Sequence, residues 1–388
     1  ESPSNGINEG NEDDYKINTM FNRISFFSCI LGVNFFKQRT RLQKVISLLI
    51  VAFTATINIY FIIYVSFLNY HKPFSPDILA VTLGIIAWTL QATLSTVFVY
   101  FHIYNIFFNQ TLGEAHITFE GAGIHDHRSS LRSIVRSFYI VFGLIAFYKI
   151  VLIASHFHQT NVTFVGSDVV YMFGDDRLFF IAQLCHLYTY LCWSVALFVF
   201  ALFVHSTNYE FLYFNDQVRK INCDQLDKSD EEFCHYLLKL IKTHNRLTEC
   251  VNRLDKMFNR YAFVMMATII PTMTFTLFML SRRADKSFKS HTCFVTPIVC
   301  FCIFSFVSLT SAPSQLHNSI YATKSALCAN TQIWFPYRPN VYHSALAFVC
   351  HLDQANLGVS IWGFAIVSKP LVLTALSVMM TCLALFMQ

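Results

Sequence analysis

The chain has 388 residues, of which 54% are hydrophobic and 16% aromatic while only 13% are charged, about half the charged share of an average soluble protein. A soluble globule of this length needs more charge to cover its surface. Of its 51 charged residues (28 basic and 23 acidic), 18 lie between Glu210 and Arg260, leaving runs of twenty or more residues almost uncharged, so collagen-like, disulfide-scaffold, disordered and cytosolic-enzyme classes are excluded in favour of a polytopic helical membrane protein.

Residues 1–43 are read as a cytoplasmic N-terminal segment. Glu1–Asn18 is polar and acidic with no apolar core, so no cleavable signal peptide is expected and the first span directs insertion. A window of about 19 residues then predicts spans over 44–68, 77–101, 137–155 and 177–205, a cytoplasmic helical segment over 206–260, and spans over 261–280 and 293–311. A cytoplasmic loop and a half-helix outside the bilayer (341–358, with His343, His351 and Asp353) fill 312–358. The last span covers 370–387 within a segment 359–388, with Ser368 as its N-cap and Pro370 in its first turn. The segments on the N-terminal side hold 20 basic residues against 5 in the opposite loops, counted from the sequence. The positive-inside rule therefore puts the N-terminus in the cytoplasm and, with seven spans, the C-terminus outside. The basic loop at 281–292 is the weak point of this assignment.

Within 206–260 the apolar positions Phe233, Leu237, Leu240, Leu247, Val251, Leu254 and Phe258 recur in steps of four and three, interrupted once by His244. That spacing predicts a helix offering a narrow stripe to another helix, in the same chain or in a neighbouring copy. In the last span the polar residues Thr374, Ser377, Thr381 and Gln388 fall on one helical stripe, and every other position from 371 to 387 is apolar, Cys or Met. Such a stripe faces either a helix neighbour or a water-filled path, and a path needs copies from several subunits.

The same terminal residues carry a resemblance. Gly363-Phe364, then Thr381 and, seven positions on, Gln388 resemble the C-terminal signature of the insect gustatory receptor family, which reads Thr-Tyr, five mostly apolar residues and Gln-Phe after a Gly-Phe element. Cys382 stands where the signature has Tyr, and the sequence stops at Gln388 where the signature continues with Phe. The resemblance implies a homotetrameric, ligand-gated cation channel in the plasma membrane of sensory cells, its partners being membrane lipid, its own copies, a small tastant and permeant cations. Gln388, Leu385, Thr381, Ser377 and Thr374 would line the pore and its gate. The seam from Phe233 to Phe258 would belong to the anchor between subunits. A stimulus pocket would open outward among Tyr60, Tyr64, Trp88, Tyr148, Lys149, His156, Gln183, His186 and Tyr188, whose aromatic walls and few polar groups suit a sugar or a bitter compound. Lys149, an ionisable group in a span, either has a functional partner or snorkels to the interface. Some nematode members that resemble this family respond to light or peroxide, and Trp88, Trp193, Trp334 and Trp362 keep that alternative open. A seven-span receptor signalling through a soluble partner is the alternative of another class.

Asn161-Val-Thr163 is a glycosylation sequon in a loop expected outside, whereas Asn109-Gln-Thr111 lies on the cytoplasmic side. His125-Asp-His127 reads as loop surface, Asn259-Arg260-Tyr261 starts a span on the cytoplasmic side, and the twelve Cys, none in a CxxC pair, read as packing. Neither metal, cofactor, nucleic acid nor catalytic chemistry is expected.

Overall fold

The computed structural model describes residues 41–70, 76–98, 128–157, 179–221, 229–283, 288–353 and 357–387. Six long helices come first: α1 (Arg41–Tyr70), α2 (Pro76–Phe98), α3 (Arg128–Phe157), α4 (Phe179–Arg219), α5 (Asp230–Arg283) and α6 (Phe288–Ala329). The single turn α7 (Thr331–Trp334) and α8 (Pro339–Leu352) follow, then a hairpin of β1 (Ser360–Ile361) and β2 (Ala365–Ile366), and finally α9 (Lys369–Met387).

Each of the seven predicted spans lies, over its described residues, on one of these helices. Among the described residues, five stretches are long and apolar enough to cross a membrane: Leu48–Phe67, Gln183–Arg219, Asp230–Phe278, Val299–Ala329 and Lys369–Phe386. Two shorter apolar stretches, Thr82–Phe98 and Ser133–Tyr148, lie in α2 and α3. The departure from expectation is the length of α4 and α6, which outrun their predicted spans. With 41, 54 and 42 residues, α4, α5 and α6 reach about 62, 81 and 63 Å at 1.5 Å per residue, two to three times a hydrocarbon core. Pro313 stands just past the predicted span of α6 without ending the helix, and α4 and α5 likewise extend unbroken beyond theirs.

The overhanging ends assemble one domain, here termed the base. Ser229 opens α5 as its N-cap, its Oγ accepting the backbone N–H of Glu232 at 3.3 Å, and Asp230, Glu231 and Glu232 place negative charge at the positive end of the helix. Asn215 of α4 donates from Nδ2 to the Ser319 carbonyl at 2.7 Å and accepts from Thr323 Oγ1 at 2.5 Å; Asn208 accepts from Ser319 Oγ at 2.7 Å. This ladder fixes the register of α4 against α6 among buried groups that would otherwise stay unpaired. Asn330 Nδ2 donates to the Ile221 carbonyl, Arg338 pairs with Asp230 while lying over the Phe233 ring, and Lys324 pairs with Asp353.

The hydrophobic core is centred on α4, whose Trp193, Leu197, Phe200, Val204, Phe211, Phe214 and Val218 are buried against α2, α3, α5 and α6. α1 lies at the periphery against α2 and turns Leu49, Phe53, Ile63 and Phe67 outward, an apolar face suited to lipid. Polar side chains between the helices pair locally: Asn58 Nδ2 donates to Thr93 Oγ1 at 2.9 Å, and the hydroxyls of Thr54, Thr93, Thr96, Thr268 and Thr272 donate to the carbonyl four residues earlier.

The segment expected to be helical over 341–358 is instead the shorter α8 followed by the hairpin. β1 and β2 pair Ser360 with Ile366 and Ile361 with Ala365. Between them Trp362 and Gly363 adopt φ of 49° and 76°, and Phe364 N–H donates to the Ile361 carbonyl at 3.0 Å, the arrangement of a type I′ turn. Gly358 has φ 152°, and a Cβ there would lie 2.7 Å from Ile366 Cγ2, so glycine alone fits. Two-residue strands leave no periodicity to read.

Candidate functional site

Of the five membrane-length windows, that of the last helix is the least buried. α9 packs on α5 through Ala375 and Met379, which are buried, and through Phe386, which sits against Phe275 and Phe278 with ring centroids 5.4 and 5.9 Å away. At about 100° per residue, Thr374, Ser377 and Thr381 point to the opposite side, where all three are exposed. No other described helix packs on them. Thr374 Oγ1 donates to the Pro370 carbonyl at 3.0 Å and Thr381 Oγ1 to the Ser377 carbonyl at 2.9 Å, leaving the oxygen lone pairs directed outward. Leu373 and Met380 flank the stripe on one side, Val378 and Leu385 on the other, all exposed. The stripe is therefore not used for packing within the chain. Gln388 lies outside the described residues.

The hairpin and the base hold α9 at its start. Asp255 Oδ1 accepts Ser360 N–H at 2.6 Å, and the Asn259 carbonyl accepts Trp362 N–H at 3.1 Å. Trp362 also meets the Phe263 ring edge-on at 5.0 Å. All eight seam positions from Phe233 to Phe258, His244 included, are at most 4% exposed. The stripe is thus filled by the same chain, by α4, α6 and α8. His244 does not interrupt it: its ring lies among Phe211, Phe214, Phe348 and His351. Burial, reinforced by the nearby His351, pushes its imidazole down to about 4, and burial alone pushes the Glu210 carboxyl up to about 7.

The residues expected around an outward pocket divide. Tyr60 and Tyr64 stack on each other at 6.1 Å along α1, with Tyr60 exposed. His186 meets Phe61 at 5.3 Å and Tyr190 at 6.3 Å. Trp88 joins Tyr190, Trp193 and Phe301 in one aromatic cluster, with centroids 5.6, 6.0 and 6.4 Å away. Gln183, Tyr188 and Tyr148 are half-buried. The side chains of Lys149 and His156, and Asn161, Asn109 and the His125–His127 pair entirely, lie outside the described residues. Tyr190 was missed by the sequence reading, and Trp193 was named there only for the light- or peroxide-sensing alternative, although His186, Tyr190 and Trp193 stand at helical spacing of four and three. A cleft between α3, α4 and α6 also went unread; it has a volume of about 160 Å³ and is lined by Phe138, Leu197, His205 and Phe301 among others.

This architecture, a bundle of membrane helices with a helical base and a final helix left bare on its polar side, is the fold of the insect olfactory receptors. The structure of the insect olfactory receptor OR5 from Machilis hrabei superposes with a TM-score of 0.71 over 97% of this chain and 99% of that one, at 10% sequence identity. The same receptor in complex with eugenol superposes with a TM-score of 0.66 over the same shares, also at 10% identity. By sequence, no protein-family profile and no curated protein matches the chain. The chain is accordingly an almost entirely helical, multi-pass membrane protein whose structural neighbours are receptors rather than enzymes.

Proposed function

We propose that this chain is one subunit of a chemoreceptor channel resembling the gustatory receptors: a homotetramer in the plasma membrane of sensory cells, with four copies of α9 around a central cation path opened by a small tastant. The observation that carries this reading is the uncovered stripe of Thr374, Ser377 and Thr381 on the face of α9 opposite its contact with α5, the extensive one among the described residues. A polar stripe that a single chain leaves bare in a membrane needs either water or copies of itself. Four-fold assembly supplies both, with the hydroxyls inward and the apolar flanks against neighbouring subunits. The shared fold with an insect olfactory receptor, itself solved with a small phenolic compound, supports a small-molecule stimulus. On the topology from the basic residues the base is cytoplasmic, and its internally filled seam makes it a rigid platform on which subunits are anchored through other faces. Gln388 is assigned to the gate.

The test is whole-cell recording from cells expressing the chain alone, screened with sugars, bitter compounds and ultraviolet light. Thr381→Ala and Gln388→Ala are expected to alter conductance or selectivity. A conducting wild type whose current neither substitution changes would remove the pore assignment. Current evoked by light but by no compound would favour the photoreceptor alternative.

A further inference from the structure

We propose that the cleft between α3, α4 and α6 binds an uncharged apolar ring bearing one hydroxyl, either a free monocyclic compound or the hydroxylated end of a membrane sterol. Its volume of about 160 Å³ is close to that of apolar cavities that accept a benzene-sized ring. The cleft is mixed in character: Phe138, Leu197 and Phe301 give it apolar walls, and Ser137, Ser311 and His205 place polar groups among them. His205 is one of these polar groups, and its Nδ1 is buried with no hydrogen-bond partner among the described residues; turned toward the cleft, it would accept a ligand hydroxyl. Ser137 already donates to the Ser133 carbonyl at 3.1 Å, so its oxygen remains an acceptor for the same hydroxyl. No Lys, Arg, Asp or Glu lines the cleft, which excludes phosphate and carboxylate ligands, since either would be desolvated without a counter-charge.

The position separates this site from the outward pocket, because none of the nine residues expected there lines it. α3 packs chiefly on α4 and more lightly on α6, so its outer side offers a route from the surrounding lipid. Phe301 links the cleft to the aromatic cluster, since its ring stands 4.6 Å from that of Trp193.

The experiment uses the full chain in phosphatidylcholine nanodiscs and a photoactivatable diazirine derivative of thymol, with adducts mapped by peptide mass spectrometry. Adducts are expected on residues 194–205 and 301–311, displaced by excess thymol. Ala201→Leu, which fills the cleft, should reduce them at least about tenfold, and His205→Leu should weaken displacement roughly fivefold by removing one hydrogen bond. Should Ala201→Leu fail to fold, Ser308→Leu blocks the same space from α6. Labelling spread evenly over the lipid-facing side of α1, or unchanged by both blocking variants, would overturn the proposal. Repeating the measurement with sterol in the discs assigns the source: loss of labelling identifies the sterol as occupant, and persistence identifies the free compound. Binding is read without current, so this proposal and the channel reading fail separately.

Discussion

α5 and α9 each carry a membrane-length apolar window and are in contact with each other, yet they are covered in opposite ways. Along the base half of α5 every apolar seam position is buried within the chain. In α9 only 11% of the membrane-length window is buried, and Leu373, Val378, Met380 and Leu385 are bare along with the hydroxyl stripe. Spacing of apolar residues at three and four thus means two different things. In the charged base it marks a seam closed by the chain's own helices, because water makes an open one costly. In the membrane lipid is itself apolar, so coverage no longer follows hydrophobicity and the polar positions carry the information instead.

The largest effect that would break this contrast is on the seam. Leu237→Ala opens a cavity in a fully buried position and should cost about 3 kcal/mol, seen as a lower melting temperature of the purified protein; a negligible change would mean that a neighbouring copy, not this chain, fills the stripe. Next, Asn215→Ala removes both bonds that tie α4 to α6 at Ser319 and Thr323, leaving the Thr323 hydroxyl only its 3.5 Å bond to the Ser319 carbonyl, and should cost about 2 kcal/mol by the same measurement.

A smaller effect concerns pH. Buried Glu210, with a carboxyl raised from 4.5 to about 7, contributes stability that is complete below pH 4.5 and lost as pH rises through 7. His244, lowered from 6.5 to about 4, contributes stability that is complete above pH 6.5 and lost as pH falls through 4. The two slopes oppose each other between pH 4.5 and 6.5. Glu210→Gln should therefore leave a melting temperature that climbs across that interval and no longer falls from pH 6.5 to 7, whereas identical profiles for variant and wild type would show that Glu210 is ionised in the fold. The smallest expected effect on stability is at the stripe: Ser377→Ala should shift it by under about 0.5 kcal/mol while changing conductance in a channel that conducts, and a larger loss of stability would show that the hydroxyl packs.

Helix type and extent in the apolar stretches were legible because hydropathy over twenty residues is a strong signal, and α9 matches the expected span within one residue. The seam was legible from Phe233 to Phe258 for a similar reason, though not which chain would fill it, since a heptad is indifferent to whether its partner is covalently connected. Three things were not legible. The overhang of α4 and α6 was hidden because hydropathy ends where the helix does not. The hairpin was hidden because two positive-φ residues, one of them Trp362, decide it. The cluster of Trp88, Tyr190, Trp193 and Phe301 was hidden because three helices contribute to it from 88 to 301 in the sequence.

α5 also grips the final segment twice. Near the base Asp255 and Asn259 hold the hairpin by its backbone, and roughly four to six turns further on Phe275 and Phe278 clasp Phe386. Between the two grips stands Pro271, the position at which the helix lacks a backbone donor and bends most readily. α5 is thus a strut with a joint between its two points of attachment, and any flexing at that joint swings the far end of α9 relative to its root.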